Sequence, residues 1–433
     1  MKNEKGRESS LIIGFVGLTH LGLNHALASA AKGYQVVGFS DDSSQVENLR
    51  SGELGLVEPG LSEARIKYSE LISFTDDPRE LHQCDLVYIS LDVPTTESGA
   101  SDLAEVKKFI HLATKAMRVD AVLIILCQVS PGFTRDISWP ATQLYYQVET
   151  LVFGKAYDRA LNPERLIVGA ASLDQILDVR LGEYLASFQA PIFSMDYESA
   201  ELAKVAINMC LIAHVSVANT MAEICEKIGA SWDRIIPALK LDRRIGEYSY
   251  IKPGLGISGG NLERDIATVI GLGHMHLTHV DVVEAFKESS DYCRDWALRA
   301  MRDFGIVVSG KKRIAILGLS YKENTSSIKN SASLRLLPEL RGNEVVVYDP
   351  AARCTLDEHP FVKRVNSVEE ALRGADVLAI MTPWEEFYGL KPQFLRERMS
   401  GNKVLDPYRI IDWDRSKDHG FSVASLGRKK ENF

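Results

Sequence analysis

Residues 11–22 read Leu-Ile-Ile-Gly-Phe-Val-Gly17-Leu18-Thr19-His20-Leu21-Gly22, and residues 34–42 read Tyr-Gln-Val-Val-Gly-Phe-Ser40-Asp41-Asp42. The first segment sets a short apolar run, Leu11–Leu18, against a glycine turn. Leu21–Ala31 follows with a helical pattern, and Tyr34–Phe39 is again short, apolar and rich in β-formers. Strand, helix and strand in that order predict a βαβ unit and hence a parallel sheet wrapped by helices. Leu86–Ser90 and Ala121–Leu126 continue the rhythm.

From about Glu198 the texture changes. Ser199–Ile228 reads as one long helix and Val282–Phe304 as another, with the glycine-rich loop Pro253–Gly260 between them. At Lys312 the first rhythm restarts: strand Arg313–Leu317, Gly318, a helical stretch, then strands Glu344–Tyr348, Val377–Met381 and Lys403–Asp406. The expected fold is α/β: two Rossmann-like doubly wound domains joined by a central helical domain. Limits fall at 1–197, 198–308 and 309–433, and the central helices are a natural subunit interface.

Composition narrows the function. The 433 residues are 45% hydrophobic and 25% charged, the balance of a globular protein. A net charge of −8 argues against a polyanion-binding surface, so nucleic acid is not an expected partner. Six cysteines, at 84, 127, 210, 225, 293 and 354, form no CxxC pair; they suit reduced cytoplasmic thiols, and no metal site is expected. The polar start and the lack of an uninterrupted apolar run of membrane-spanning length predict a soluble, intracellular protein without membrane contact.

Gly17-Leu18-Thr19-His20-Leu21-Gly22 is a GxTxxG version of the GxGxxG dinucleotide fingerprint. Its first glycine permits the tight turn and its last permits close helix–strand packing, while the middle one lets backbone approach a pyrophosphate at the helix N-terminus. Thr19 takes the middle place, crowding that approach but adding a hydroxyl. An acid that grips the adenosine ribose is expected about 20 residues onward. Ser40 stands at that place with Asp41 next, and no arginine lies beside them to hold a ribose phosphate, so NAD is favoured over NADP. On this loop alone, a fold of the same type that has lost its cofactor is an equal alternative.

Further motifs run in order through the chain: Ser51-Gly52 to Glu58-Pro59-Gly60-Leu61; Val93-Pro94-Thr95 with Ala100-Ser101-Asp102-Leu103; Asn162-Pro163-Glu164; Glu201-x-x-Lys204-x-x-x-Asn208; and Arg244-Ile245-Gly246. Then come Pro253-Gly254-Leu255-Gly256-Ile257-Ser258-Gly259-Gly260, Leu317-Gly318-Leu319-Ser320-Tyr321-Lys322, Tyr348-Asp349-Pro350 and Asp406-Pro407-Tyr408-Arg409. In this order they resemble the UDP-glucose/GDP-mannose dehydrogenase family, which implies an NAD domain, a central dimerisation domain and a C-terminal nucleotide-sugar domain. The resemblance also implies a homodimer and a place in polysaccharide biosynthesis.

The resemblance implies that Lys204 and Asn208 hold the reacting sugar oxygen. Four residues apart on a helix, they project from one face. It makes Asp265 a group that positions water or assists proton transfer; an N-cap of the following helix is the structural alternative. Glu164 is the expected acid–base group. Gly17, Thr19, His20, Leu21, Gly22, Ser40, Asp41, Thr95, Gln128 and Lys329 are the expected cofactor contacts. Arg244, Tyr250, Gly254, Gly259, Lys322 and Arg409 are the expected substrate contacts, with Arg244 supplied across the dimer.

Two departures matter. Asn261 stands where members that take an alcohol to an acid have the cysteine that traps the aldehyde. Gln128, in Cys127-Gln128-Val129-Ser130-Pro131-Gly132, replaces a threonine associated with water handling. The expectation is one two-electron alcohol/carbonyl step on a nucleotide sugar, most naturally a UDP-sugar. The alternatives are a conventional four-electron UDP-glucose 6-dehydrogenase, a redox-neutral NAD-dependent epimerase and a catalytically silent regulator that binds a nucleotide sugar.

Overall fold

The computed structural model describes residues 11–96, 101–258, 260–306, 310–413 and 419–432. It divides into two compact units, Met1–Ala206 and Ile207–Phe433.

The first unit is built on strands β1 (Ile12–Val16), β2 (Gln35–Phe39), β3 (Ile72–Thr75), β4 (Leu86–Ile89), β5 (Val122–Ile125), β6 (Leu144–Gln147), β7 (Leu166–Ala170) and β8 (Ile192–Asp196). They lie in the order β3-β2-β1-β4-β5-β6-β7-β8, parallel except between β6 and β7. The order reverses direction between β1 and β4, and ligands of doubly wound sheets bind at such a switch point. Burial on both faces explains why β1 reads as an unbroken apolar run. Helices α1 (His20–Ala31) and α2 (Ser43–Ser51) follow the first two strands. Leu23, Ala26, Leu27 and Ala30 pack α1 into the core with Ile13 and Phe15.

The second unit carries a seven-stranded sheet of β9 (Arg313–Leu317), β10 (Glu344–Tyr348), β11 (Val362–Arg364), β12 (Val377–Ile380), β13 (Lys403–Leu405), β14 (Ser422–Ser425) and β15 (Arg428–Asn432). Its order is β11-β10-β9-β12-β13-β14-β15, parallel except for the last pair, so the doubly wound pattern recurs. The expected fold class stands.

Helix α3 (Tyr197–Ile228) runs from the first unit into the second. Among the described residues it alone is long and apolar enough to cross a membrane. Ala200, Val205, Ile212, Ala218, Ala222 and Cys225 are buried, so much of its apolar character goes to packing within the fold. Then come α4 (Trp232–Leu241), α5 (Asn261–Met275), α6 (Asp281–Arg294) and α7 (Trp296–Asp303).

The structure corrects the expected single helix Val282–Phe304: it is two, α6 and α7, broken at Asp295. That residue sits at φ −85°, ψ 6°, its N–H turns back to Tyr292 O, and its carboxylate holds the Arg335 guanidinium at 2.7 and 2.9 Å. A side chain bonded outward to a distant partner and a backbone in the bridge region end the helix there. The helix expected to follow Asp265 begins earlier, at Asn261, and Asp265 lies inside it. Gly260 occupies the N-cap, which removes the capping alternative for Asp265.

Candidate functional site

The fingerprint loop closes the β1–α1 turn as its glycines require. Gly17 has φ 100° and donates its N–H to Phe39 O at 3.0 Å. A Cβ there would come within 2.5 Å of the Leu91 side chain, and one at Gly22 within 1.9 Å of Gly17 O. Neither position admits any other residue without moving the strand ends. Thr19 is the N-cap of α1, but its hydroxyl makes no cap bond. It donates to Ser90 O at 3.3 Å and accepts from Asp92 N–H at 2.9 Å. Leu21 donates its N–H to Asp92 Oδ2 at 3.3 Å. His20 reaches away from the loop, bonded to Glu58 at 3.0 Å and stacked on Phe153.

At the end of β2, Ser40 is buried and donates its hydroxyl to Gln45 Oε1 at 2.6 Å, while Gln45 Nε2 donates to Leu18 O. Serine therefore braces the fingerprint loop from below. Asp41 is the exposed carboxylate beside it, paired with Lys108 at 2.5 Å, and Asp42 caps α2 through the Ser44 and Gln45 N–H groups. Thr95 bridges to Ser101, and Gln128 is buried just past β5. The glycine turn, the α1 N-terminus and Asp41 with no arginine at the strand end fit an NAD molecule.

The centre of charge in the first unit is a pair that the sequence reading did not foresee. Lys204 Nζ meets Glu149 Oε1 at 2.7 Å, both largely buried. Glu149 follows β6 and also accepts the Leu151 N–H at 2.9 Å. Burial pushes its carboxyl up, but the Lys204 charge and hydrogen bond, the Leu151 N–H and His25 together hold it below the ordinary carboxylate range. Behind it, burial holds the His25 imidazole neutral, with its pKa down at about 4. Glu164, the acid singled out from sequence, is instead exposed and paired with Arg159 at 3.1 Å and Arg165 at 3.3 Å. The signal was available: Glu149 stands at the C-terminal end of an apolar run, Leu144-Tyr145-Tyr146, where such sheets place functional groups.

Glu201 opens the motif that carries Lys204 and Asn208. Buried one turn before Lys204, it accepts the N–H groups of Gly132 at 2.5 Å and Thr134 at 2.8 Å, fastening the loop after Gln128 to α3. Cys127 is also buried, and burial raises its thiol to about 12. A thiol so hard to ionise is no nucleophile.

In the second unit Asn208 donates Nδ2–H to Asp265 Oδ2 at 2.5 Å, both buried. Arg264, also buried, lies 3.6 Å from the same carboxylate. Asn261 is exposed in the first turn of α5. The loop before it is pinned: Gly254 N–H reaches Asn219 Oδ1 at 2.8 Å, and Ile257 N–H reaches Ser290 Oγ at 2.7 Å. Gly256, at φ 80°, passes so close that a Cβ would lie 2.5 Å from Ser290 O. Leu255 and Ile257 are buried, so glycine here serves close packing. Gly259 lies outside the described residues.

Tyr250 is half-exposed and lines a cavity of about 470 Å³ with Tyr248, Lys240 and Lys252. Arg244 is exposed and held by Asp242 at 2.7 Å. Around the second sheet, Gly318 repeats the Gly17 geometry, with φ 97° and its N–H on Tyr348 O at 2.8 Å. Asp349 accepts the Leu319 and Ser320 N–H groups and anchors that turn. The Lys322 ammonium lies 5.7 Å over the Tyr321 ring, and Lys329 is exposed. Arg409, at φ 49°, pairs with Glu431. Asp406 holds that corner by accepting from Ile410, Ile411 and Trp413 Nε1.

Comparison with known proteins accounts for this plan. Three models of the UDP-glucose/GDP-mannose dehydrogenase family match in order: the NAD binding domain at residues 11–205, the central domain at 198–292 and the UDP binding domain at 315–413. The chain is 28% identical to UDP-glucose 6-dehydrogenase AglM of Haloferax volcanii, covering 96% of this chain and 99% of that protein. It is 26% identical to the putative UDP-glucose 6-dehydrogenase YtcA of Bacillus subtilis, over 95% and 99%. Among solved structures, a UDP-glucose dehydrogenase from Pyrobaculum islandicum superposes with a TM-score of 0.80 at 25% identity, covering 94% and 98%. A UDP-D-ManNAc dehydrogenase from Pyrococcus horikoshii shares the fold, with a TM-score of 0.82 at 23% identity over 96% and 99%. The chain belongs to the UDP-glucose/GDP-mannose dehydrogenase family and is an NAD-dependent oxidoreductase acting on the CH–OH group of a nucleotide sugar.

Proposed function

We propose that this protein carries out one hydride transfer between NAD and a UDP-sugar, interconverting an alcohol and a carbonyl. The observation that carries the reading is the set on and around α3: Lys204 on Glu149, Asn208 on Asp265, and an amide, Asn261, in place of a thiol. Bound NAD supplies the hydride acceptor. As the C–H hydride leaves the carbinol carbon, the O–H proton passes to the Lys204–Glu149 pair, and the Asn208 amide steadies the oxygen. Asp265 orients that amide. Glu149, rather than Glu164, is the acid–base candidate because it alone of the two meets Lys204. An Asn261 amide cannot form the thiohemiacetal that a second oxidation requires.

The remaining assignments rest on the same reading. Gly17, Thr19, Leu21 and Gly22 hold the NAD pyrophosphate and Asp41 the ribose, with His20 and Ser40 bracing them; Thr95, Gln128 and Lys329 complete the cofactor contacts. Arg244, Tyr250, Gly254, Gly259, Lys322 and Arg409 take the nucleotide sugar. Domain limits fall at 197 and 308. Val217, Met221, Ile224 and Ile228 are exposed at helical spacing along α3, and we assign that stripe to a homodimer. Polysaccharide biosynthesis in the cytoplasm is the setting that fits.

The test is incubation with NAD and a panel of nucleotide sugars, with UDP-glucose first because the two relatives are so named. One NADH per product, with the product lighter by two hydrogens, is the expected result. A sugar acid with two NADH would overturn the reading.

A further inference from the structure

The fingerprint loop holds a carboxylate where a dinucleotide must put its phosphates. Helix α1 has no acid in its first turn and no cap from the Thr19 side chain. Asp92, from the loop after β4, supplies what the helix lacks: its Oδ2 accepts the Leu21 N–H at 3.3 Å. Thr19 sets Asp92 there. Its hydroxyl spans from Ser90 O to the Asp92 N–H, tying the end of β4 to the fingerprint turn. A glycine at 19 has no atom to make that bridge. Thr19 and Asp92 thus work as one device, and the device places a negative charge on the donors that a pyrophosphate uses.

We propose that Asp92 is an internal competitor for the NAD pyrophosphate, latched by Thr19, so that NAD binds only when the carboxylate leaves the α1 N-terminus. This deepens the reading of the protein as an NAD enzyme and rests on it. Asp92 is exposed and has water to turn into, so displacement needs no unfolding of the sheet. The competitor lowers NAD affinity by the attraction that must be broken, and by the repulsion between the displaced carboxylate and the phosphates. Partly screened, the two together are worth a factor of about five to ten in Kd.

The experiment is calorimetric titration of the full chain with NAD, ADP-ribose, adenosine and UDP, for the wild type and for Asp92→Asn. Asparagine keeps the shape of the side chain and removes the charge. Asp92→Asn is expected to tighten NAD and ADP-ribose about five- to tenfold, with adenosine, which has no phosphate, unmoved; the gain should shrink at high salt. Unchanged or weaker NAD binding by Asp92→Asn overturns the proposal and leaves the NAD assignment standing, since the wild type still binds. No NAD binding by either protein, with UDP still bound, would overturn the proposal and the cofactor reading together.

Discussion

Lys204 and Asn208 are each locked to a carboxylate, and the two locks are chemically different. The Glu149 carboxyl stays ionised despite burial because a cation and an N–H reach it, so it can share a proton with Lys204. Glu149→Gln preserves shape and abolishes that sharing. It is expected to lower kcat by about 10²-fold, within the range for a lost acid–base group, with the Kd for NAD little changed; steady-state kinetics beside a binding titration checks both. Glu164→Gln is the control: an exposed residue paired with Arg159 and Arg165 should leave kcat within about twofold, because surface pairs carry little energy. Asn261 gives a gain-of-function prediction. It opens α5, and a thiol at a helix N-terminus ionises more readily. Asn261→Cys with NAD and substrate should leave a protein adduct visible by mass spectrometry, with the second NADH at least tenfold above the wild-type background. The factor of ten corresponds to about 1.4 kcal/mol of barrier.

Among the helices, α3 shows how far burial can move a charge. Glu226, near its end, accepts the Gly427 N–H at 3.0 Å, and burial first, then Glu223, raises its carboxyl from 4.5 to about 7. Between pH 4.5 and 7 the unfolded chain has lost this proton and the folded one keeps it. Stability from this group is therefore whole below pH 4.5 and declines as pH rises through 7, by about 2 kcal/mol after solvent screening. Glu226→Gln keeps an acceptor for Gly427 and cannot ionise. It should be more stable than the wild type by about that amount at pH 8 and equal to it near pH 4.5, as read by urea unfolding at both values.

What was legible in the sequence follows the same division. Strands β1, β2, β9 and β10 and helix α1 could be read because their residues alone carry the pattern: apolar runs buried on both faces, and glycines at Gly17 and Gly318 whose Cβ would strike a neighbouring strand end. Helix boundaries failed where a distant residue decides them, as Arg335 does at Asp295. The Lys204–Asn208 spacing was visible because it is local. Glu149 was not, because its meeting with Lys204 depends on β6 ending beside α3, and no periodicity encodes that. Thr19 looked like a defect in a glycine motif; its purpose appears only with Asp92, which arrives on another strand.

At the scale of the whole molecule, two compact units with separate sheets and separate cores share one helix. The NAD binding domain falls in the first unit and the UDP binding domain in the second, so each ligand reports chiefly on one unit. A ligand that binds only the folded form stabilises it by about 2.7 kcal/mol at a hundredfold excess over Kd. For units of this size that is roughly 5–10 °C in Tm. Scanning calorimetry should therefore resolve two transitions, with NAD raising one and UDP the other by that amount, and the two ligands together raising both additively. The transition that NAD raises should move further in Asp92→Asn at the same NAD concentration, because tighter binding adds RT ln of the affinity ratio, about 1 kcal/mol for fivefold. A single transition lifted by either ligand alone would mean that α3 couples the units into one cooperative block. The stability change from Glu226→Gln would then be felt by the NAD-binding unit as well, and the same calorimeter would show it at pH 8.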